Sequence, residues 1–331
     1  MHEAVGALLA GRGVDRATWT SLWDELGSDG LGAGQAVALL ASLSTRLPDH
    51  ETLAALLASL DERRPEQPAR FPGAVNIVGT GGGPPTFNVS TAAAFTAAAL
   101  GVPVVKTGSR AYTSRVGSVD LLERLGVRLT PSYDRTAEAL ERDGIAFAGY
   151  FVYPRELALL ARSIVPASMK PFGRFMNAIG PFLPALPVAA QVTGVSDHTM
   201  LPDLRALAAT VTDRTVWLCS NEAGADELLG CVDGVVDVND GTALRVDVAA
   251  LGLGAGSLDD LRPREPAAVV DHFLAVVSGE AGEAATQAVC LNAAAMAVAG
   301  GHHDGWADAL DAAGEAVRSG AVRALVERVR A

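Results

Sequence analysis

Apolar positions along the first sixty-odd residues recur at helical spacing. Trp19, Leu22, Trp23 and Leu26 fall on one helix face, and Leu8-Leu9, Ala36–Leu40 and Leu53–Leu57 continue the pattern around a break at Pro48-Asp49. The segment ends in the charged, proline-punctuated stretch Asp61-Glu62-Arg63-Arg64-Pro65-Glu66. Residues 1–66 therefore read as helices only, with Trp19 and Trp23 in their core. From about residue 70 short apolar runs alternate with helical ones. The predicted strands are 75–78, 102–105, 145–148, 188–195, 215–219, 235–238 and 243–248. The predicted helices are 91–100, 118–125, 135–143, 155–163, 199–211, 266–278, 281–300 and 305–329. Such alternation implies an α/β class: a small all-helical N-terminal domain (1–66) and a large α/β domain (70–331) with a central, largely parallel sheet flanked by helices.

The stretch from Asn76 to Glu123 carries the candidate chemistry. The strand Val75–Val78 runs into Gly79-Thr80-Gly81-Gly82-Gly83, where backbone N–H groups can approach a bulky ligand. Ser90 and Thr91 stand where the N-cap of an alanine-rich helix belongs, and a helix start presents free donors and partial positive charge. Strand, glycine loop and helix start together form an anion cradle of the kind that suits phosphate. The next strand delivers Lys106-Thr107-Gly108-Ser109-Arg110 at its carboxyl end, where α/β sheets bind ligands. A third loop, Thr113–Ser118, adds hydroxyls and a cation before another helix.

Composition narrows the class. A length of 331 residues suits one large domain, or a large and a small one, and 49% hydrophobic residues suit a compact core. A net charge of −12 argues against nucleic acid. Cys219, Cys231 and Cys290 are too scattered for a disulfide framework or zinc site, which fits a reducing cytoplasm. Met1–Gly11 lacks a signal peptide's basic start and apolar core, and no apolar run reaches the roughly 18 residues of a membrane span. No His residue has a convincing catalytic partner, and His302-His303-Asp304 reads as a surface loop.

The sequence resembles the anthranilate phosphoribosyltransferase family, whose motifs run GTGGD, FN(I/V)ST, KHGNR and GSxDLLE. Here they are GTGGG at 79–83, FNVST at 87–91, KTGSR at 106–110 and GSVDLLE at 117–123. Gly224-Ala225-Asp226-Glu227 matches GLDE, Asn177–Pro181 matches the end of FNxLGPL, and Asn292–Ala295 resembles a late NAAA helix. The resemblance implies displacement of pyrophosphate from phosphoribosyl pyrophosphate with Mg2+, the helical domain forming a homodimer and segment 165–185 packing near it. It implies donor binding by Gly79, Thr80, Gly81, Gly82, Asn88, Ser90, Thr91, Lys106, Ser114, Gly117 and Ser118. It places magnesium on Asp226 and Glu227, with the Ser90 hydroxyl, and asks for no protein nucleophile.

Departures from the family pattern gather on the acceptor side. The Asp of GTGGD is Gly83 in a loop one residue shorter, and the His and Asn of KHGNR are Thr107 and Ser109. The family's carboxylate-binding Arg falls near Ala167, and its His pair near Tyr153-Pro154. The expected acceptor is therefore a small aromatic or heteroaromatic molecule other than anthranilate bound in the usual mode. Tyr112, Tyr150, Tyr153, Met169, Phe172, Met176 and Phe182 offer a flat apolar slot. Arg155, Arg162, Lys170 and Arg174 offer charge, and Thr107, Ser109, Arg110 and Asn177 complete the acceptor candidates. Anthranilate transfer with a drifted acceptor site ranks second, a pyrimidine nucleoside phosphorylase-like enzyme next, and a non-catalytic binding paralogue last.

Overall fold

The structure is a computed structural model that describes residues 1–65, 71–110 and 116–330. Its N-terminal part holds four helices, α1 (Glu3–Leu9), α2 (Arg16–Gly27), α3 (Ala33–Thr45) and α4 (His50–Asp61). Carboxylates start two of them: Asp15 accepts the Thr18 N–H at 2.8 Å and Asp49 accepts that of Thr52 at 2.9 Å. The apolar stripe of α2 is buried, with Trp19 and Trp23 stacked at 5.7 Å. The Trp23 indole donates to the Ser59 hydroxyl at 2.9 Å, so its one polar atom is satisfied.

Beyond residue 70 the chain runs β1 (Phe71–Gly79), α5 (Val89–Ala99), β2 (Val104–Lys106), α6 (Ser118–Leu125), α7 (Tyr133–Asp143), β3 (Ile145–Phe147), α8 (Arg155–Ser163), α9 (Gly173–Ile179) and β4 (Val188–Gly194). It continues through α10 (Leu201–Ala209), β5 (Thr215–Asn221), β6 (Gly234–Val238) and β7 (Ala243–Val246), then α11 (Val269–Val277), α12 (Glu283–Ala299), α13 (Trp306–Arg318) and α14 (Ala321–Val329). The strands form a single sheet in the order β3-β2-β1-β4-β5-β6-β7. The pairs from β3 across to β5 are parallel, and β6 and β7 add an antiparallel edge. Chain order runs outward from β1 on one side and from β4 on the other. The topological switch point thus lies between β1 and β4, where such sheets bind ligands.

Alternation along the strands divides the core. On β5, Trp217 and Cys219 join α5 and the C-terminal helices, while Val216 and Leu218 face the other way. That second face shares one core with the N-terminal helices and with Phe172, Phe175, Ile179 and Phe182 of the 165–185 segment. Small side chains let α5 and α12 approach closely, and Ala92–Ala94 and Ala293–Ala295 are fully buried there. Among the described residues no helix is long and apolar enough to cross a membrane.

The predicted strands and helices are present, with local shifts. The first α5 residue is Val89 and Asn88 occupies the cap position, not Ser90 or Thr91. Lys106 is the last residue of β2 rather than the start of a loop. The expected helix 305–329 is two, because Gly320 adopts a left-handed φ of 77° between α13 and α14.

Phe95 is fully buried on α5, with ring centroids 5.3 Å from Phe147 and 6.0 Å from Phe273. Phe95→Ala should cost about 3–5 kcal/mol through lost contacts and a residual cavity. A urea titration should show a lower midpoint at unchanged slope. A loss under about 1 kcal/mol would mean that this cluster is not the hub of the core.

Candidate active site

The carboxyl ends of β1 and β2 open into a cleft of about 900 Å³ at the switch point. A smaller hollow of about 340 Å³ lies at the amino-terminal edge of the same strands, with Phe71, Val102, Pro103 and Gly144 in its wall. It gathers no set of reactive groups. The chemistry lies in the large cleft.

The glycine loop is shaped by a close approach. Gly79 and Gly194 are register partners at the ends of β1 and β4. A Cβ on Gly79 would fall 2.0 Å from Asp226 Oδ2, and one on Gly194 would fall 1.6 Å from the Asp226 carbonyl oxygen. Two strand ends without side chains thus receive the Asp226-Glu227 loop. Gly83 has a similar reason, since a Cβ there would lie 2.3 Å from the Gly224 carbonyl oxygen and 2.8 Å from Ser196 Cβ. The shortened loop leaves no room for an aspartate at that position.

The acidic pair is fastened from behind. Asn221 donates to the carbonyls of Ala225 (3.0 Å) and Glu227 (2.8 Å). Asn292, on α12, accepts the Leu228 N–H at 3.2 Å and donates to the Leu228 carbonyl at 2.8 Å. In front, the Gly81 N–H donates to Asp226 Oδ2 at 2.7 Å, and the Thr86 hydroxyl donates to Glu227 Oε1 at 2.8 Å. Glu227 Oε2 is buried, and apart from the contact between the two carboxyls themselves no donor among the described residues reaches it.

Burial dominates the electrostatics. It raises the carboxyl pKa of both acids, and the Asp226 charge pushes Glu227 further, well above the usual glutamate range. Burial lowers Lys106 to about 8 against the opposing pull of Asp226 and Glu227. The Lys106 ammonium donates to the Ile77 carbonyl at 2.7 Å and to the Thr107 carbonyl at 3.3 Å. Buried Lys106 and two half-buried acids packed into one corner of the cleft, with one carboxylate oxygen unsatisfied, make a site that a cation would relieve.

The family model described as the glycosyl transferase family, a/b domain, matches residues 72–323. The anthranilate phosphoribosyltransferase of Cenarchaeum symbiosum is 35% identical over 305 residues, covering 90% of this chain and 88% of its own. The chain belongs to the anthranilate phosphoribosyltransferase family. The crystal structure of the Thermus thermophilus enzyme superposes with a TM-score of 0.84 at 29% identity, covering 100% of this chain and 98% of that one. A Saccharomyces cerevisiae anthranilate phosphoribosyltransferase in complex with PRPP and Mg has the same fold, with a TM-score of 0.81 at 19% identity over 98% of this chain and 95% of that one. As a family member this protein is an enzyme, a glycosyltransferase of the phosphoribosyl-transferring kind.

Most residues singled out from the sequence meet in the cleft wall. Gly79, Thr80, Gly81, Gly82, Asn88, Ser90, Lys106, Gly117 and Ser118 line it together with Asp226 and Glu227. Among the acceptor candidates Thr107, Ser109, Arg110, Tyr150, Tyr153, Met169 and Asn177 also line it. Asn177, its amide nitrogen oriented to satisfy both acceptors, donates to the Gly173 and Thr80 carbonyls at 3.2 Å each. The Gly117 N–H is already accepted by Asp120 at 2.9 Å. Ser114 and Tyr112 lie outside the described residues.

Six of the described residues singled out for the site need correction, because they lie outside the cleft wall. Phe172 and Phe182 belong to the core shared with the N-terminal helices, Lys170 is exposed, and Thr91, Arg162 and Arg174 are the other three. Thr91 is fully buried, away from the cleft wall: with α5 starting at Val89, Ser90 faces the cleft and the next residue turns into the core. Arg162 sits on the exposed side of α8, outside the wall. Arg174 also lies outside it, 3.7 Å from Asp197. Gly194, Asn221 and the role of Asn292 escaped the sequence reading, because their work is to seat a distant loop. The only signal was chemical: amides beside a strand end and within an alanine-rich helix.

The donor set fits magnesium. Among the described residues no group of three or more His, Cys, Asp or Glu could hold a metal. Two adjacent carboxylates, one with a free oxygen, suit an ion that leaves its other positions to water and phosphate. In metal-free protein, however, the ionised Glu227 is a liability. Its folded pKa stands above the unfolded value of about 4.3, so stability falls as pH rises from that value through the folded pKa. With chelator present, the thermal midpoint should therefore drop as the pH rises above the ordinary glutamate range, and Glu227→Gln should flatten the drop and raise the midpoint on its alkaline side. Differential scanning fluorimetry across pH reads both, and an unchanged profile in the variant would remove Glu227 as the cause.

Proposed function

We propose that the protein transfers the 5-phosphoribosyl group of phosphoribosyl pyrophosphate to anthranilate, releasing pyrophosphate, with Mg2+ on the donor. One observation carries the reading: the glycine loop, the start of α5 with Ser90, and the Asp226-Glu227 pair with its unsatisfied oxygen converge on one cleft at the switch point. The pentosyl donor is polyanionic, and this corner supplies backbone N–H groups, hydroxyls and a seat for a divalent ion. The named relatives are anthranilate phosphoribosyltransferases, and the yeast enzyme holds PRPP and Mg.

In this reading Gly82, Ser90, Asn88 and Ser118 bind the phosphates, Gly81 positions Asp226 through its N–H, and Asp226 and Glu227 would hold magnesium. Magnesium held there would supply neutralisation of the pyrophosphate charge. The bond from the anomeric carbon to the pyrophosphate oxygen breaks with its electrons leaving on oxygen, and the acceptor amine forms the new bond to that carbon and gives up one proton to the released pyrophosphate. The chain's part is to place the amine in line and to keep water out, since among the described residues no side chain in the wall is set up as a nucleophile. Buried Lys106 stands behind the loop and adds positive potential without touching the acids in an ion pair.

A second reading, that the acceptor is another aromatic acid, rests on Gly83, Thr107, Ser109 and Tyr153 in place of the family's residues. Both readings share the donor half, which calorimetry addresses first. Phosphoribosyl pyrophosphate should bind in the presence of magnesium and lose most of its affinity in chelator; metal-independent binding, or none, would sink the donor assignment. An acceptor screen with labelled donor, running anthranilate beside other aromatic acids, amides and phenols, then separates the two.

A further inference from the structure

We propose that Arg155 is the residue that reads the acceptor's carboxylate, an inference that rests on the aromatic-acid acceptor of the proposed function. Three cations among the described residues line the cleft: Lys106, Arg110 and Arg155. Two of them are committed. The Lys106 ammonium is buried against the carbonyls of Ile77 and Thr107. The Arg110 guanidinium lies on Glu123, at 2.8 Å for one contact and closer for a second, and on Asp120 at 3.1 Å. Arg155 has no ion pair or hydrogen bond to any described residue, although salt bridges are plentiful elsewhere on the molecule.

Its setting suits an aromatic acid. Arg155 opens α8, and Leu157, Ala158 and Ala161 of the same helix line the cleft with it. Tyr150, Tyr153 and Met169 bring flat and polarisable surface to the same wall. A guanidinium beside that surface offers a planar fork to a carboxylate while the ring lies on the apolar part. The first turn of α8 is also held in place. The next residue, Glu156, is buried and accepts Arg63 Nε at 3.0 Å, and Arg63 donates in turn to Asp24 at 2.7 Å. Arg63 and Glu156 thus tie α8 to the N-terminal helices, so Arg155 is presented from a fixed helix start. Ala167, where the family's own carboxylate reader falls, is exposed and outside the wall.

The test is steady-state kinetics of Arg155→Ala and Arg155→Lys at saturating phosphoribosyl pyrophosphate, with anthranilate and its neutral analogue 2-aminobenzamide as acceptors. Arg155→Ala should lower kcat/KM for anthranilate by roughly 10- to 100-fold, mainly through KM, and leave KM for the donor unchanged. It should also erase the preference for the acid over the amide, and Arg155→Lys should restore part of it. If another aromatic acid proves the better substrate, the same ratio is read on that acid and its amide. Unchanged selectivity in a folded, active Arg155→Ala protein would overturn the proposal while leaving the transfer reading intact. Wild-type protein that transfers to no aromatic acid would overturn both, and the absence of wild-type turnover identifies that case.

Discussion

The active corner depends on one steric fact: a carboxylate loop is pressed into the end of the sheet where β1 and β4 carry no side chains. Gly79 and Gly194 face each other across the register, and both would collide with Asp226 if either had a Cβ. Asn221 and Asn292 secure the same loop from the other side. The acids are therefore not a flexible surface pair. They are held in the floor of the cleft by backbone contact, and the sheet's topology decides where that floor is.

Burial then sets the electrostatics. Two half-buried acids and a buried lysine share one corner of the cleft, and each loses solvation that it does not fully regain from its neighbours. Such an arrangement is poorly stable alone and well suited to receive a metal ion with an anionic ligand. The unsatisfied Glu227 oxygen is where that imbalance is concentrated. The cations at the cleft divide differently: Arg110 is neutralised by surface acids, whereas Arg155 remains available to a ligand.

The departures from the family pattern acquire physical reasons in three dimensions. Gly83 replaces an aspartate because the shortened loop runs against the Gly224 carbonyl. Thr107 sits under the cleft floor, its N–H donating to Asn76 at 3.1 Å and its hydroxyl accepting from the Asn76 amide at 3.2 Å, so it serves the sheet as well as the wall. The expectation that these changes exclude anthranilate gains no support from the relatives, which are anthranilate phosphoribosyltransferases over nearly the whole chain.

Periodicity and local chemistry alone determined the α/β class, the strand positions and the stretch of chain that forms the phosphate-seeking loops. These are local properties: apolar alternation, glycine density and loop composition act within a few residues. The motif resemblance added the acidic pair. What the sequence could not decide is which neighbours share a wall. Ser90 and Thr91 are adjacent and chemically alike, yet a turn of about 100° per residue sends one to the cleft and the other into the core. Arg155, Arg162 and Arg174 are equivalent as text. Only the packing of α8 and α9 on the N-terminal helices leaves Arg155 in the cleft wall and turns the other two outside it, because a side chain's partners are set by contacts far apart in the chain.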